Sequence, residues 1–166
     1  MSFLRRDRAA LDADDRVALG RALLRLDPWA FWVVEVEPST GASFAVLGVT
    51  GAFVVTGSSL EGYVVADGRE LTVDGSRISG FGDAKRAAKW LRGRLMSIGA
   101  SSNDVALMLV LMRATAGAPR DHRGVRVVRP EDIVPEVTKR PRTLDPSTAQ
   151  RLAGRIGRLM GGSEPA

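Results

Sequence analysis

The chain has 166 residues, 45% of them hydrophobic and 26% charged, with no cysteine, one histidine and a formal net charge of +5. That length holds one domain with a single sizeable core. The missing cysteines exclude disulfides, a thiol nucleophile, iron–sulfur clusters and Cys-based zinc sites, and a lone His122 excludes histidine-cluster metal sites. The longest apolar run, Val105–Met112, falls far short of the roughly 18–20 residues that span a bilayer. No apolar stretch follows Arg5, Arg6 and Arg8, so the expectation is a cytoplasmic protein with no signal peptide and no membrane partner.

Charge divides the chain. Residues 1–80 carry a net of −3 and residues 81–166 a net of +8, and arginine supplies 21 of the 24 basic side chains. Arginine suits phosphate and carboxylate contacts, and a pI near 10.6 directs attention to nucleic acid.

The first predicted element is an amphipathic helix over Asp12–Leu26, with Asp12, Asp14 and Asp15 at its N-terminus and Leu19, Leu23 and Leu26 on one face. Ala30–Glu37 reads as a strand with Glu35 and Glu37 on a solvent-facing side, as an edge strand would have. Ser43–Leu47 and Ala52–Thr56 form a hairpin around Gly48-Val49-Thr50-Gly51. Shorter strands follow at Tyr63–Ala66, Glu70–Val73 and Arg77–Ile78, separated by Asp67-Gly68 and Asp74-Gly75. A second helix runs over Asp83–Ile98. Val105–Met112, apolar on both faces, belongs in the middle of a sheet covered on both sides. Gly124–Val128 is a strand, Pro130 opens a short helix, and a last helix runs from Asp145-Pro146 to Gly161-Gly162. The order predicts an α/β fold, a mixed β-sheet flanked by helices, over residues 12–160 with tails at 1–11 and 161–166.

With SFAVLGVTGAFVVTGSS (residues 43–59), the helix DAKRAAKWLRGRL, the strand VALMLVLM, the segment GVRVVRPEDIV and a closing helix after TLDPSTAQ, the chain resembles the nuclease-related domain family. The resemblance covers residues 12–160 and implies a bacterial protein with a restriction-endonuclease-like three-layer sandwich. Active members need an aspartate, usually followed by histidine, on the first hairpin strand and an acid-spacer-lysine set on the second. Two carboxylates hold a divalent metal there, and the lysine helps to activate water. In register with Gly51, those positions carry Ser43 and Phe44, then Thr56, Gly57 and Ser58; the acid of the family's first helix falls at Arg16, beside Asp15. The implication is a non-catalytic member without a metal cofactor. Magnesium or manganese enters only if the carboxylates have moved, to Glu35, Glu37 or Glu61.

The residues left for binding are basic. Lys85, Arg86, Lys89 and Arg92 on the second helix, and Arg151, Arg155 and Arg158 on the last, form rows able to follow the phosphates of DNA or RNA. A helix also covers its wet face with such residues for solubility alone. Sparse aromatics give no support for stacking on single strands. Trp90 reads as a packing residue, Trp29 and Trp32 as core or interface, and His122 as an exposed loop residue. Ser58-Ser59 lies in no Walker or G-x-S-x-G pattern. Gly154 and Gly157 suggest close helix contact within the chain or across a dimer. Three readings follow: a domain that binds nucleic acid or a protein partner without catalysis, a metal-dependent nuclease with relocated carboxylates, and a structural or regulatory homodimer.

Overall fold

The structure, a computed structural model, describes residues 11–67, 69–100 and 105–161. Among them the elements are α1 (Ala13–Leu23), β1 (Phe31–Glu35), a 3-10 corner (Pro38–Thr40), β2 (Phe44–Gly48), β3 (Gly51–Asp67), β4 (Glu70–Val73), β5 (Ser76–Arg77) and α2 (Phe81–Ser97). Then come β6 (Val105–Thr115), β7 (Arg120–His122), β8 (Val125–Val128), a 3-10 turn (Pro130–Asp132), α3 (Ile133–Thr138), α4 (Pro146–Ile156) and β9 (Arg158–Met160). The sheet runs β7-β8-β6-β3-β2-β1-β9, with β4 and β5 extending the far half of β3. β6 lies parallel to both β3 and β8, and the other pairings are antiparallel, so the sheet is mixed as predicted.

Strand alternation sorts the side chains into two layers. Trp32, Val34, Ala45, Leu47, Ala52 and Val54 pack against Ala87, Ala88 and Leu91 of α2 and Ala149, Leu152 and Ala153 of α4. Phe31, Val33, Phe44, Val46, Phe53 and Val55 face the other way, onto Leu19 and Leu23 of α1 and Ile133 and Val137 of α3. β6 sits between β3 and β8, the central place its two-sided apolarity predicts. The predicted helix starts hold: Asp12 accepts from Asp15 N at 2.8 Å, and Asp145 accepts from Thr148 N at 2.9 Å.

Several boundaries differ from the sequence reading. α1 stops at Leu23, although Leu26 beyond it is still buried. Leu11, assigned to the tail, packs on the α1 layer, while residues 1–10 and 162–166 lie outside the described residues. β3 is one strand of 17 residues where two were expected, because a register shift between Ser58 and Glu61 absorbs the turn-like Gly57-Ser58-Ser59 without breaking the strand. The last helix ends at Ile156, and Gly157 is extended and leads into β9, which pairs with β1. That pairing removes the expected solvent-facing edge at β1.

Candidate functional site

At the open end of the β2–β3 hairpin, Ser43 N donates to Val55 O at 3.0 Å. This bond brings Ser43 and Thr56, thirteen positions apart, to the same cleft. The cleft holds about 160 Å3 and is also lined by Gly57, Ser79, Gly80, Asp83 and Arg86. Gly41, at a φ of +95°, closes one side; a side chain there would run into the carbonyl oxygen of Asp83. Ser58 is buried beside the bulge, where its hydroxyl accepts from Leu60 N at 3.3 Å. Among the described residues Asp83 is the one carboxylate on the cleft wall, and Arg86 holds it at 3.0 Å. A serine, a threonine and one arginine-paired carboxylate do not supply the two carboxylates and the lysine that metal-assisted phosphodiester hydrolysis uses.

The relocated carboxylates are not brought together. Glu35 lies on β1 between β2 and β9 and pairs with Arg16 at 3.4 Å. Glu37 lies past the strand's end, exposed at the start of the 3-10 corner, so the two glutamates do not share a strand face. Glu61 is held by Arg113 at 3.1 Å, and the same guanidinium takes Asp15 at 2.7 Å and Asp12 at 2.9 Å. These three carboxylates keep Arg113 firmly charged, the hydrogen bond it donates to Asp15 contributing most. Arg113 thus ties the start of α1 to the β3 bulge. The sequence reading missed it, although an arginine just beyond an eight-residue apolar strand marks where β6 emerges from the core. Among the described residues no three metal-ligating side chains are gathered into a common site.

The basic rows are brought together. α2 and α4 lie on the same sheet face, and Arg94 Nη2 donates to Arg155 O at 3.3 Å across them. Lys85, Arg86, Lys89, Arg94, Arg151 and Arg155 are exposed and Arg92 is half-buried. Against these seven cations the two helices hold one carboxylate, Asp83. Arg158 leaves the row: it lies on β9, opposite Glu35 in the β1 register.

The remaining residues sort as follows. Trp32 is buried and Trp90 packs on the α2 layer, as expected; Trp29 is 78% exposed, which excludes the core and leaves its interface reading. His122 is not a loop residue; it lies half-buried on β7 with its ring 4.9 Å from that of Phe81. Ser59 accepts from Asp12 N at 2.9 Å and so helps to seat α1. A methyl group at Gly154 would meet nothing within 4 Å and Gly157 serves the β9–β1 approach, so neither marks a helix–helix contact among the described residues of the chain. Among the described residues, no helix is long and apolar enough to cross a membrane.

Comparison with known proteins supplies no relative: no family model matches the chain, and neither a curated protein nor a solved structure matches it.

Proposed function

We propose that this chain is a non-catalytic domain of restriction-endonuclease-like architecture that binds the phosphate backbone of nucleic acid through the α2–α4 face. The observation that carries the reading is the excess of one sign on that face, where two adjacent helices present seven cations against one carboxylate within the helices and Asp145 at the start of α4. Spaced cations on one surface release counterions from a polyanion and need no base contact. The nuclease-like scaffold is supported by the element order and by the meeting of Ser43 and Thr56 at one cleft. The absence of activity is supported by the hydroxyls at those positions and by the arginines that hold Glu35 and Glu61. On this reading the domain works without a metal cofactor, in the cytoplasm.

The test is binding of labelled duplex DNA and RNA across a salt series, with product size followed in manganese. The expected result is binding whose logarithm falls with the logarithm of salt at a slope of about −3 or steeper, without cleavage. Lys85→Glu with Lys89→Glu, both exposed, should cost about tenfold or more. Absent or salt-insensitive binding would overturn the reading in favour of a protein partner or a homodimer. Manganese-dependent cleavage that survives repurification and is lost in Glu35→Gln with Glu61→Gln would replace it with the nuclease.

A further inference from the structure

Arg86, Lys89, Trp90 and Gly93 share one side of α2 and wall an open groove of about 550 Å3, whose opposite bank is the 3-10 corner with Glu37, Ser39 and Thr40. Three features of the groove need a common cause. The Trp90 side chain packs on the core layer yet also lines the groove, so part of its surface stays accessible there. Gly93 stands inside a 17-residue helix, where glycine costs about 1 kcal/mol against alanine. No packing demands it, because a Cβ built there meets nothing within 4 Å. Charges of both signs occupy opposite banks without neutralising each other: Lys89 and Glu37 have no ion-pair partner among the described residues, while Arg86 leans on Asp83.

We propose that this groove takes one unpaired nucleotide base of a single strand, stacked on Trp90, with its flanking phosphates on Lys89 and Arg86. An aromatic surface beside cations suits a base joined to phosphate, since every base has a stacking face and every linkage a charge. Gly93 leaves room for the ring, which explains a helix-weakening residue that nothing packs against. Glu37, across the groove, accepts hydrogen bonds from the base edge. Guanine answers a carboxylate best, because its N1–H and N2–H donors lie side by side. A duplex keeps its bases stacked inside and can offer this groove phosphates only. The phosphate half of this proposal rests on the backbone-binding reading above; the stacking half does not.

The test compares the full chain with Gly93→Leu, which fills the groove with a helix-favouring side chain and removes no charge. Probes are a labelled single strand of about twelve nucleotides and the duplex made from it, a length within one ordinary binding site. Circular dichroism and the unfolding midpoint establish that the variant is folded. The expected result is a loss of about tenfold for the single strand, with duplex affinity unchanged. A strand with one guanine in a thymine run should bind more tightly than the all-thymine strand, and Glu37→Gln should erase that difference. Gly93→Leu that binds the single strand like the wild type overturns the stacking proposal and leaves backbone binding standing. So does a variant that loses strand and duplex equally. A wild-type chain that binds neither probe overturns both.

Discussion

Glu136 is only 6% exposed, on α3, and would be a liability without its partners. Arg126 on β8 grips it through Nε at 3.1 Å and Nη2 at 3.2 Å, and Lys139 Nζ adds a contact at 2.9 Å. Burial alone pushes the carboxyl pKa up; the bonds from Arg126 and Lys139 outweigh it and hold the group below its ordinary value of 4.5. A carboxyl lowered in this way stabilises the fold fully above that ordinary value, and the contribution fades as pH falls through the lowered folded one. Glu136→Gln should therefore cost about 1–2 kcal/mol at pH 7 in urea unfolding, and the gap from wild type should narrow below about pH 4. Arg113 is the other joint, and its hydrogen-bonded partners lie 52, 98 and 101 residues away in sequence. Arg113→Met should lower the unfolding midpoint more than Arg21→Met on the same layer's exposed surface, and should speed amide exchange in the first turn of α1. Neither joint was legible in the sequence. These partners are set by how helices pack on strands in the folded chain, whereas the Asp12 and Asp145 caps were legible because each reaches only three residues ahead.

The elements show where local reading succeeds and where pairing overrides it. β6 was placed correctly because eight consecutive apolar residues admit no wet face, and β4 matched its predicted bounds between two turns. β3 was split in two because Gly57, Ser58, Ser59 and Gly62 have turn chemistry, yet β6 on one side and β4 on the other hold the strand continuous. β9 was read as helix because Leu152, Ile156 and Leu159 keep helical spacing, but β1 offered an unpaired edge that Arg158–Met160 filled. The two glycines at that junction separate these causes. At Gly154 a methyl group meets nothing, so Gly154→Ala should stabilise the chain by about 0.5–1 kcal/mol. At Gly157 a Cβ would stand 2.9 Å from Glu35 O and 3.0 Å from Val34 Cγ1. Gly157→Ala should cost about 1–2 kcal/mol, and amide exchange should quicken at Leu159 and Met160 before the core opens. Opposite signs from the same substitution three residues apart would place the helix end at Ile156; equal stabilisation would mean that the helix runs on to Gly161.

For the molecule as a whole, the part of the charge division that reaches a single layer is the one carried by α2 and α4. The C-terminal half supplies α2 and α4, with their seven cations, to one sheet face, while the other is covered by α1, which opens with Asp12, Asp14 and Asp15, and by α3, whose neighbouring arginines are paired with carboxylates. The site was therefore half-legible: the cations and their helical spacing could be read directly, but not the adjacency of two helices about sixty residues apart in sequence, nor the groove beside Trp90. This layering permits a test that net charge alone cannot mimic. Lys85→Glu with Lys89→Glu on α2 and Arg21→Glu with Arg25→Glu on the α1 side each take four units off the formal charge of +5. If attraction to a polyanion depended on net charge alone, both pairs would weaken binding alike, since each removes the same four units. If the α2–α4 face makes the contacts, the α2 pair should lose about tenfold or more in affinity, and the plot against salt should flatten by about two phosphate contacts. The α1 pair should stay within about twofold and keep the wild-type slope. Titration of one labelled duplex at several salt concentrations measures all of these quantities, and equal losses from the two pairs would remove the face from the account.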